Sequence, residues 1–541
     1  MKRVLACALV MTLFLAASGR GQVSQEWVRR TTALTNASSG ITVSDMTIDA
    51  QSNVYVTGYA GTDSINVVTA KYNAQGVVQW VWSYNDSLNS VDVANAIHVD
   101  AAGNVYVAGY SYFGFASAWM MTYKYSPAGI QLWSRRFQVT GGYGCFGNDI
   151  AVDGSGNVYV VGSATGAPGG VDMILVKYGP DSVMQWYRTI DGGSAAGDEG
   201  ARVEIDNAGN VVVAGFAGGL GGADFFVRKY APDGSNLWSR RLDISGTGGD
   251  DYIRDMALDN AGNVYVTGRG NLGVDFATVK YDAFGTQQWV ATYNGPASGS
   301  DEARAIAVDN AGNVVITGSD VSGGGPASVY STVKYNAAGV QQWARNDNGP
   351  ANAGDQAYDV AVDTSGNVYV TGQVSNAAYD VYTIKYNPSG ALQWTAGYTS
   401  GGATSVDQGR FVKVDRSGNV FVTGTAVTPF VTSDYVTIKY TQGPTSVGDE
   451  GAVPAVLSLD QNYPNPFNPG TTIRYQLRER GNATLAVYNT LGEQIAVLAR
   501  GAKEAGAHYA VFDAAGLPSG VYFYRLEAGG RTETRRMLLL R

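Results

Sequence analysis

Six aspartates of this 541-residue chain occupy one place in a repeated pattern: Asp92, Asp198, Asp251, Asp301, Asp355 and Asp407 each stand eight residues ahead of another aspartate. Carboxylates gathered in this way suit two kinds of chemistry. A partial ring of them attracts a cation or binds sugar hydroxyls. Alternatively, each bonds a backbone N–H of its own connection, a structural device repeated because the units repeat. A second set is aromatic. The stretch YSYFGFASAW (110 to 119) supplies Tyr110, Tyr112, Phe113, Phe115 and Trp119. These suit stacking on sugar rings or packing against a protein, or else they cover the end of a sheet.

Catalytic constellations are missing from the sequence. There is no G-x-S-x-G elbow, no H-E-x-x-H, no phosphate-binding Gly-Lys-Ser/Thr and no paired cysteine motif, so no catalytic residue, metal or cofactor is assigned. His98, in the strand AIHVD, reads as a half-buried structural residue or as one facing a central channel. A nucleophilic pairing with Cys145 is disfavoured, because Cys145 falls near the start of its strand and His98 near the end of its own.

The elements that must hold these residues come from a ten-letter stretch written eight times. DNAGNVYVTG starts at Asp259, and related copies start at Asp49, Asp100, Asp153, Asp206, Asp309, Asp363 and Asp415, 50 to 54 residues apart. In D-x-x-G-N the Asp side chain accepts a backbone N–H two residues on and the Gly tolerates positive φ, which specifies a tight turn. One Asp and one Asn per copy are too few oxygen ligands for a calcium loop. Around each turn the alternation has period 2 and predicts four strands, as in ARAIAVD (303 to 309), NVVITG (313 to 318), STVKYN (331 to 336) and VQQWAR (340 to 345). SPAG (126), APDG (231), NAAG (336) and NPSG (387) predict type I turns between the third and fourth strands.

Four antiparallel strands per unit, repeated around an axis, predict an all-β fold, a β-propeller. The last unit has its Lys439-Tyr440 pair but no Trp strand after it, whereas QEWVRR (25 to 30) precedes the first unit and looks like WSRR at 133 and 238. If Trp27 supplies the missing outer strand, the ring closes with eight blades; the alternative of seven leaves a unit with unpaired edges. The units resemble a bacterial β-propeller repeat family marked by D-x-x-G-N-[VI]-Y-V-[TA]-G over residues 25 to 440, a resemblance that implies a fold and an extracellular setting but no reaction.

Composition agrees with strands and tight turns: 45% of residues are hydrophobic, 15% are charged, and there are 71 glycines. MKRVLACALVMTLFLAASGRGQ reads as a secretory signal peptide (1 to 21), cleaved between Ser18 and Gln22 and too short for a membrane anchor. Its removal leaves Cys145 as the single cysteine, so no intramolecular disulfide is expected. Residues 22 to 455 carry 24 basic and 39 acidic side chains, a balance that repels phosphate backbones and disfavours nucleic acid. No transmembrane segment is expected in the mature chain.

Residues 441 to 456 read as a linker. Beyond it, six or seven short strands predict a small Ig-like β-sandwich over 457 to 541. YPNPFNP (463 to 469), VYNTLG (487 to 492), GLPSGVYFYRL (516 to 526) and the basic-apolar last strand resemble, in order, the C-terminal type A sorting domain of the bacterial type IX secretion system. The resemblance implies export through that machinery and a secreted or cell-surface location by way of the periplasm. The expectation is a non-enzymatic propeller that acts as a binding, adhesion or scaffold module toward an extracellular glycan or protein. The alternative is a secreted polysaccharide lyase or glycosidase, since carboxylates alone can hydrolyse glycosides.

Overall fold

In the computed structural model, the described residues are 23 to 31, 41 to 442 apart from short segments between or at the ends of strands, and most of 458 to 539. The signal peptide, most of the linker, and Phe113 and Phe115 lie outside them. The chain divides into two compact units, one running to Pro444 and the other from Thr445.

Among the described residues the first unit consists of strands arranged as eight successive sets of four, each set antiparallel. One set, typical of the rest, is Glu302–Val308, Val314–Val321, Ser328–Tyr335 and Gln341–Asp347. In the last set the strand beside Ser433–Gln442 is Val23–Thr31, from the other end of the array. Trp27 lies opposite Lys439, the register in which Trp343 lies opposite Lys334. The first set packs onto the last. Val43, Val56 and Val68 share a core with Phe421 and Tyr435, and the Tyr435 hydroxyl donates to the Val68 carbonyl over 3.2 Å.

The second strand of each set is buried on both faces; Val264, Tyr265 and Val266 are fully covered, as are their equivalents. This explains why N-V-Y-V carries β-branched and aromatic residues without a polar face. The turn before it is built as its letters require. Asp259 Oδ1 accepts the N–H groups of Ala261 and Asn263, and Gly262 sits at φ 78°. The Asn and Tyr complete a cage unforeseen from the sequence: Asn263 Nδ2 donates to Asp259 Oδ2 at 2.7 Å and Tyr265 OH at 2.9 Å. In the first copy Ser52 replaces the glycine at φ 61°, and its hydroxyl donates to Asp415 of the last set.

Neighbouring sets are latched at their outer edges. The Trp289 ring lies against Gly339 of the next set, where an added Cβ would meet it at 2.6 Å, so only glycine fits. Trp289 Nε1 and Lys280 Nζ both donate to the Ala337 carbonyl in that turn. The seventh set has no such turn to grip, because the eighth takes its outer strand from the N-terminus. Gln442 substitutes for it. Its Oε1 accepts from Lys385 Nζ and Trp394 Nε1, while Nε2 donates to Tyr369 OH and the Gly418 carbonyl. The strand therefore runs to Gln442, two residues beyond the expected end of the repeats at 440.

The second unit has, among the described residues, a three-stranded sheet and a four-stranded sheet, the latter ordered Gln494–Lys503, Gly481–Tyr488, Gly520–Ala528, Arg531–Leu539. Its core gathers Phe467, Ile473, Leu485, Phe512, Tyr524 and Leu539. Phe467 comes from the YPNPFNP motif and pairs by a lone bridge with Leu539 at the end of the basic-apolar strand.

Candidate functional site

The six recurring aspartates take equivalent places where the fourth strand of one set crosses to the first strand of the next. They do not form an exposed ring of carboxylates. Asp92, Asp251, Asp301, Asp355 and Asp407 are fully buried and Asp198 nearly so. Five of these connections are closed by the carboxylate: Asp198 accepts N–H from Gly192 and Gly218, Asp251 from Ile244, Asp301 from Gly295, Asp355 from Gly349 and Ser375, and Asp407 from Ser400 and Val427. Ile41 and Cys145 fill the same position in the first and third sets, both buried. A position that accepts isoleucine is one where burial is required and a charge is optional. Burial pushes the Asp407 carboxyl up to about 6 and raises the Cys145 thiol, which leaves that cysteine a poor nucleophile.

Two of the six belong to acidic triplets. Asp172, Asp191 and Asp198, and likewise Asp224, Asp243 and Asp251, bring carboxylate oxygens within 4.8 Å of one another. Asp224 is already paired with Arg241 at 2.5 Å, and the buried member of each triplet is held by backbone N–H groups.

The first strands carry a different group of charges. Four residues before the turn aspartate, alternate sets place Asp45, Asp149, Asp255 and Asp359; the sets between them place Ala96, Arg202, Ala305 and Phe411. Each aspartate accepts an N–H from the first strand of the following set, Ile97, Val203, Ile306 and Val412 respectively, so the sets are tied in pairs. Arg202 donates to Asp255 at 2.8 Å and Lys413 lies 3.9 Å from Asp359. Each first strand packs against the first strand of the next set, that of the first set against that of the eighth included, so these strands enclose a common centre toward which Asp45, Asp149, Asp255 and Lys413 bring their charges. Burial raises Asp45, Asp149 and Asp359 to about 6 and Glu204 to about 8. His98 faces the same region, with its basicity lowered by burial.

One end of that centre is partly exposed and chemically uneven. Every first strand has a bulge, for example between Ile253 and Asp255, that turns one extra residue out of the ladder. In the first four sets this residue is Ser44, Asn95, Asn148 and Ala201; in the last four it is Arg254, Arg304, Tyr358 and Arg410. Side-chain contacts run from set to set along this rim. Asn148 donates to Glu199, Phe216 meets Tyr252 edge-on at 4.8 Å, and Arg254 donates to Glu302. Arg304 and Arg410 both lie over the Tyr358 ring, 4.8 and 4.3 Å from its centre.

The aromatic stretch expected to form one patch is divided. Tyr110 and Tyr112 meet edge-on at 5.5 Å and both contact Phe146 of the next set, at 5.1 and 5.8 Å. Trp119 pairs with Ser111, whereas Tyr110 pairs with Met120. Period-2 alternation therefore puts Trp119 on the other face of the sheet, packed with Trp82 and Tyr84. Phe146 was missed because it belongs to another repeat. The arginines and Tyr358 were missed because a bulge breaks the alternation used to find strands.

The fold is thus an all-β repeat architecture of four-stranded sheets, propeller-like in its connections, followed along the chain by a separate β unit. Comparison with known families agrees: residues 461–539 match the secretion system C-terminal sorting domain, and residues 132–170, 237–272 and 349–373 match the β-propeller repeat. The chain carries both, and the sorting domain implies the type IX secretion machinery as a partner and a secreted or cell-surface location. No curated protein sequence matches it. Among solved structures it is similar to the polysaccharide lyase Uly1 (12% identity, 76% of this chain and 91% of that one, TM-score 0.39). It is also similar to the β-propeller domain of the Trilobed protease from Pyrococcus furiosus (8%, 74% and 97%, 0.38) and to a protein of unknown function from Dyadobacter fermentans (11%, 78% and 99%, 0.38). Among the described residues no helix is long and apolar enough to cross a membrane.

Proposed function

We propose that residues 23 to 442 are an eight-bladed β-propeller closed by the N-terminal strand, exported behind a signal peptide and an Ig-like sorting sandwich, and that the propeller is a non-catalytic binding module. The observation that carries this reading is the partly exposed rim of bulge residues. There the side chains depart from the repeat, whereas the carboxylates that follow the repeat are buried in its connections. Variable side chains on a rigid repeated frame are the usual basis of recognition. Binding is favoured over a reaction by the state of the rim carboxylates: Glu302 is paired with Arg254 and Arg304, and Glu199 accepts from Asn148, which leaves neither as a ready acid or base. Glycan-array binding by the purified chain, run beside a reducing-end assay on the glycans that bind, tests the reading. Binding without new reducing ends supports it; new reducing ends or unsaturated products would replace it with the carbohydrate-active enzyme.

A further inference from the structure

The propeller uses its arginines in two ways. Arg29, Arg135, Arg188, Arg240 and Arg345 stand two residues after the outer-strand tryptophan, and each donates Nε to a carbonyl in the next set's turn and Nη1 to the carbonyl before it. They recur with the repeat and serve the fold. Arg254, Arg304 and Arg410 are confined to one part of the array. They occupy the bulge position only in the fifth, sixth and eighth sets, and Tyr358 holds it in the seventh. The bulge itself forms equally well with Ser44, Asn95, Asn148 or Ala201, so the architecture does not explain these side chains.

From this geometry we infer that Arg304 and Arg410, stacked on Tyr358, with Arg254 joined to them through Glu302, bind the carboxylate or sulfate groups of an acidic polysaccharide. The inference rests on the binding-module reading above and gives that module its ligand class. Both guanidinium groups over Tyr358 share one platform, which puts their centres within about 9 Å of each other. Cation–π contact orients them without consuming their in-plane donors. Those donors are underused: Arg304 Nε is buried with no hydrogen-bond partner, its Nη2 lies 3.5 Å from Glu302, and Arg410 Nη2 donates to Gln408. One carboxylate, Glu302, answers both Arg254 and Arg304, so the cluster keeps a positive excess on a strongly acidic body. A planar fork with unfilled donors is suited to bidentate oxyanions. Across the rim, the Tyr110, Tyr112 and Phe146 group offers ring faces and edges of the kind that stack on sugars. Anion forks on one side and aromatic rings on the other fit a charged glycan better than a neutral one or a bare polyanion.

The test uses the full chain and four immobilised probes: polygalacturonate, dextran sulfate, neutral dextran and duplex DNA. Binding to polygalacturonate or dextran sulfate is expected, the preferred one naming the anionic group, with affinity falling as salt rises. Arg304→Gln with Arg410→Gln should weaken it at least tenfold, while Arg416→Gln, an exposed charge in a turn at the other end of the strands, should change it less than twofold. Arg304→Lys with Arg410→Lys keeps the charge and loses the fork, so an intermediate loss is expected; melting curves show which variants fold, and the lysine pair decides if the glutamine pair does not. Unchanged affinity in whichever pair folds overturns the inference, as does equally tight DNA binding through the same arginines. Binding of neutral dextran alone overturns it while leaving the binding module standing; no binding on these probes or on the glycan array removes both.

Discussion

Ring closure by the N-terminal strand can be tested at one side chain, Trp27. Its indole is 6% exposed, lies against Gly76 where a Cβ would sit 2.6 Å away, meets Phe421 at 6.3 Å and donates Nε1 to the Ala74 carbonyl at 3.1 Å. Replacing a buried tryptophan by alanine costs about 3–5 kcal/mol through lost transfer energy and the cavity left behind. The lost hydrogen bond adds little, because Lys439 Nζ still donates to the Ala74 carbonyl and no acceptor is orphaned. A cooperative unit of ~420 residues has an unfolding entropy near 0.9 kcal/mol/K at about 2.1 cal/mol/K per residue, so each kcal/mol moves the midpoint by roughly 1 °C. Trp27→Ala should therefore lower the melting temperature by about 3–6 °C by differential scanning calorimetry. Trp289→Ala, in an internal set where the ring grips the next turn in the same way but is only half-buried, should lower it by a smaller, still measurable amount. A Trp27 variant within about 1 °C of the parent, beside a clearly destabilised Trp289 variant, would mean that the N-terminal strand is not part of the closed ring.

Gln442→Ala removes the surrogate turn that receives Lys385 and Trp394 and should cost about 1–3 kcal/mol by guanidinium denaturation, with no change in the rim. Glu204, raised by burial to about 8, is protonated in the fold where the unfolded chain has already lost its proton. The folded state binds more protons, so its contribution to stability is greatest below about pH 4.5, falls as pH rises and levels above about 8. Relative to Glu204→Gln, the parent's melting temperature should accordingly drop across that window, and a constant difference would contradict the buried charge. Asp251→Asn with Asp301→Asn should fold and should respond to added calcium as little as the parent does, since the parent carboxylates are occupied by backbone N–H groups; a calcium shift confined to the parent would make the triplet a metal site. Removing residues 456 to 541 should leave a folded propeller inside the cell envelope, detected by fractionation, and its continued appearance outside would separate the tail from sorting.

Local letters carried much of the fold because each turn is specified by neighbours in the chain. D-x-x-G-N dictates a turn through one carboxylate and one glycine, and Asp259 with Gly262 builds it that way. Period 2 placed the four strands, and a count of tryptophans against Lys-Tyr pairs pointed to Val23–Thr31 as the missing partner of Ser433–Gln442. The aspartates eight residues earlier were legible as a set but not as a site. Isoleucine and cysteine at the same step, Ile41 and Cys145, were the signal that the position is buried, and they become visible only when the eight units are read in register. The same reading would have shown the alternation of Asp45, Asp149, Asp255 and Asp359.

The sequence by itself determined the strands, their turns and the number of repeats, since these depend on interactions within about fifty residues. It also determined the exported character of the tail through motifs that lie close together. Tertiary structure decided which face each side chain reaches. A bulge reverses the alternation and turns Arg254, Arg304, Tyr358 and Arg410 toward one rim, and pleating sends Trp119 away from Tyr110. It also brought Phe146 to Tyr110, Gln442 to Lys385 and Trp27 to Gly76, contacts between different repeats that no single unit encodes. The physical reason is that hydrogen bonding along a strand is local, whereas burial is settled between neighbouring units and, at the closure, between the two ends of the repeat array.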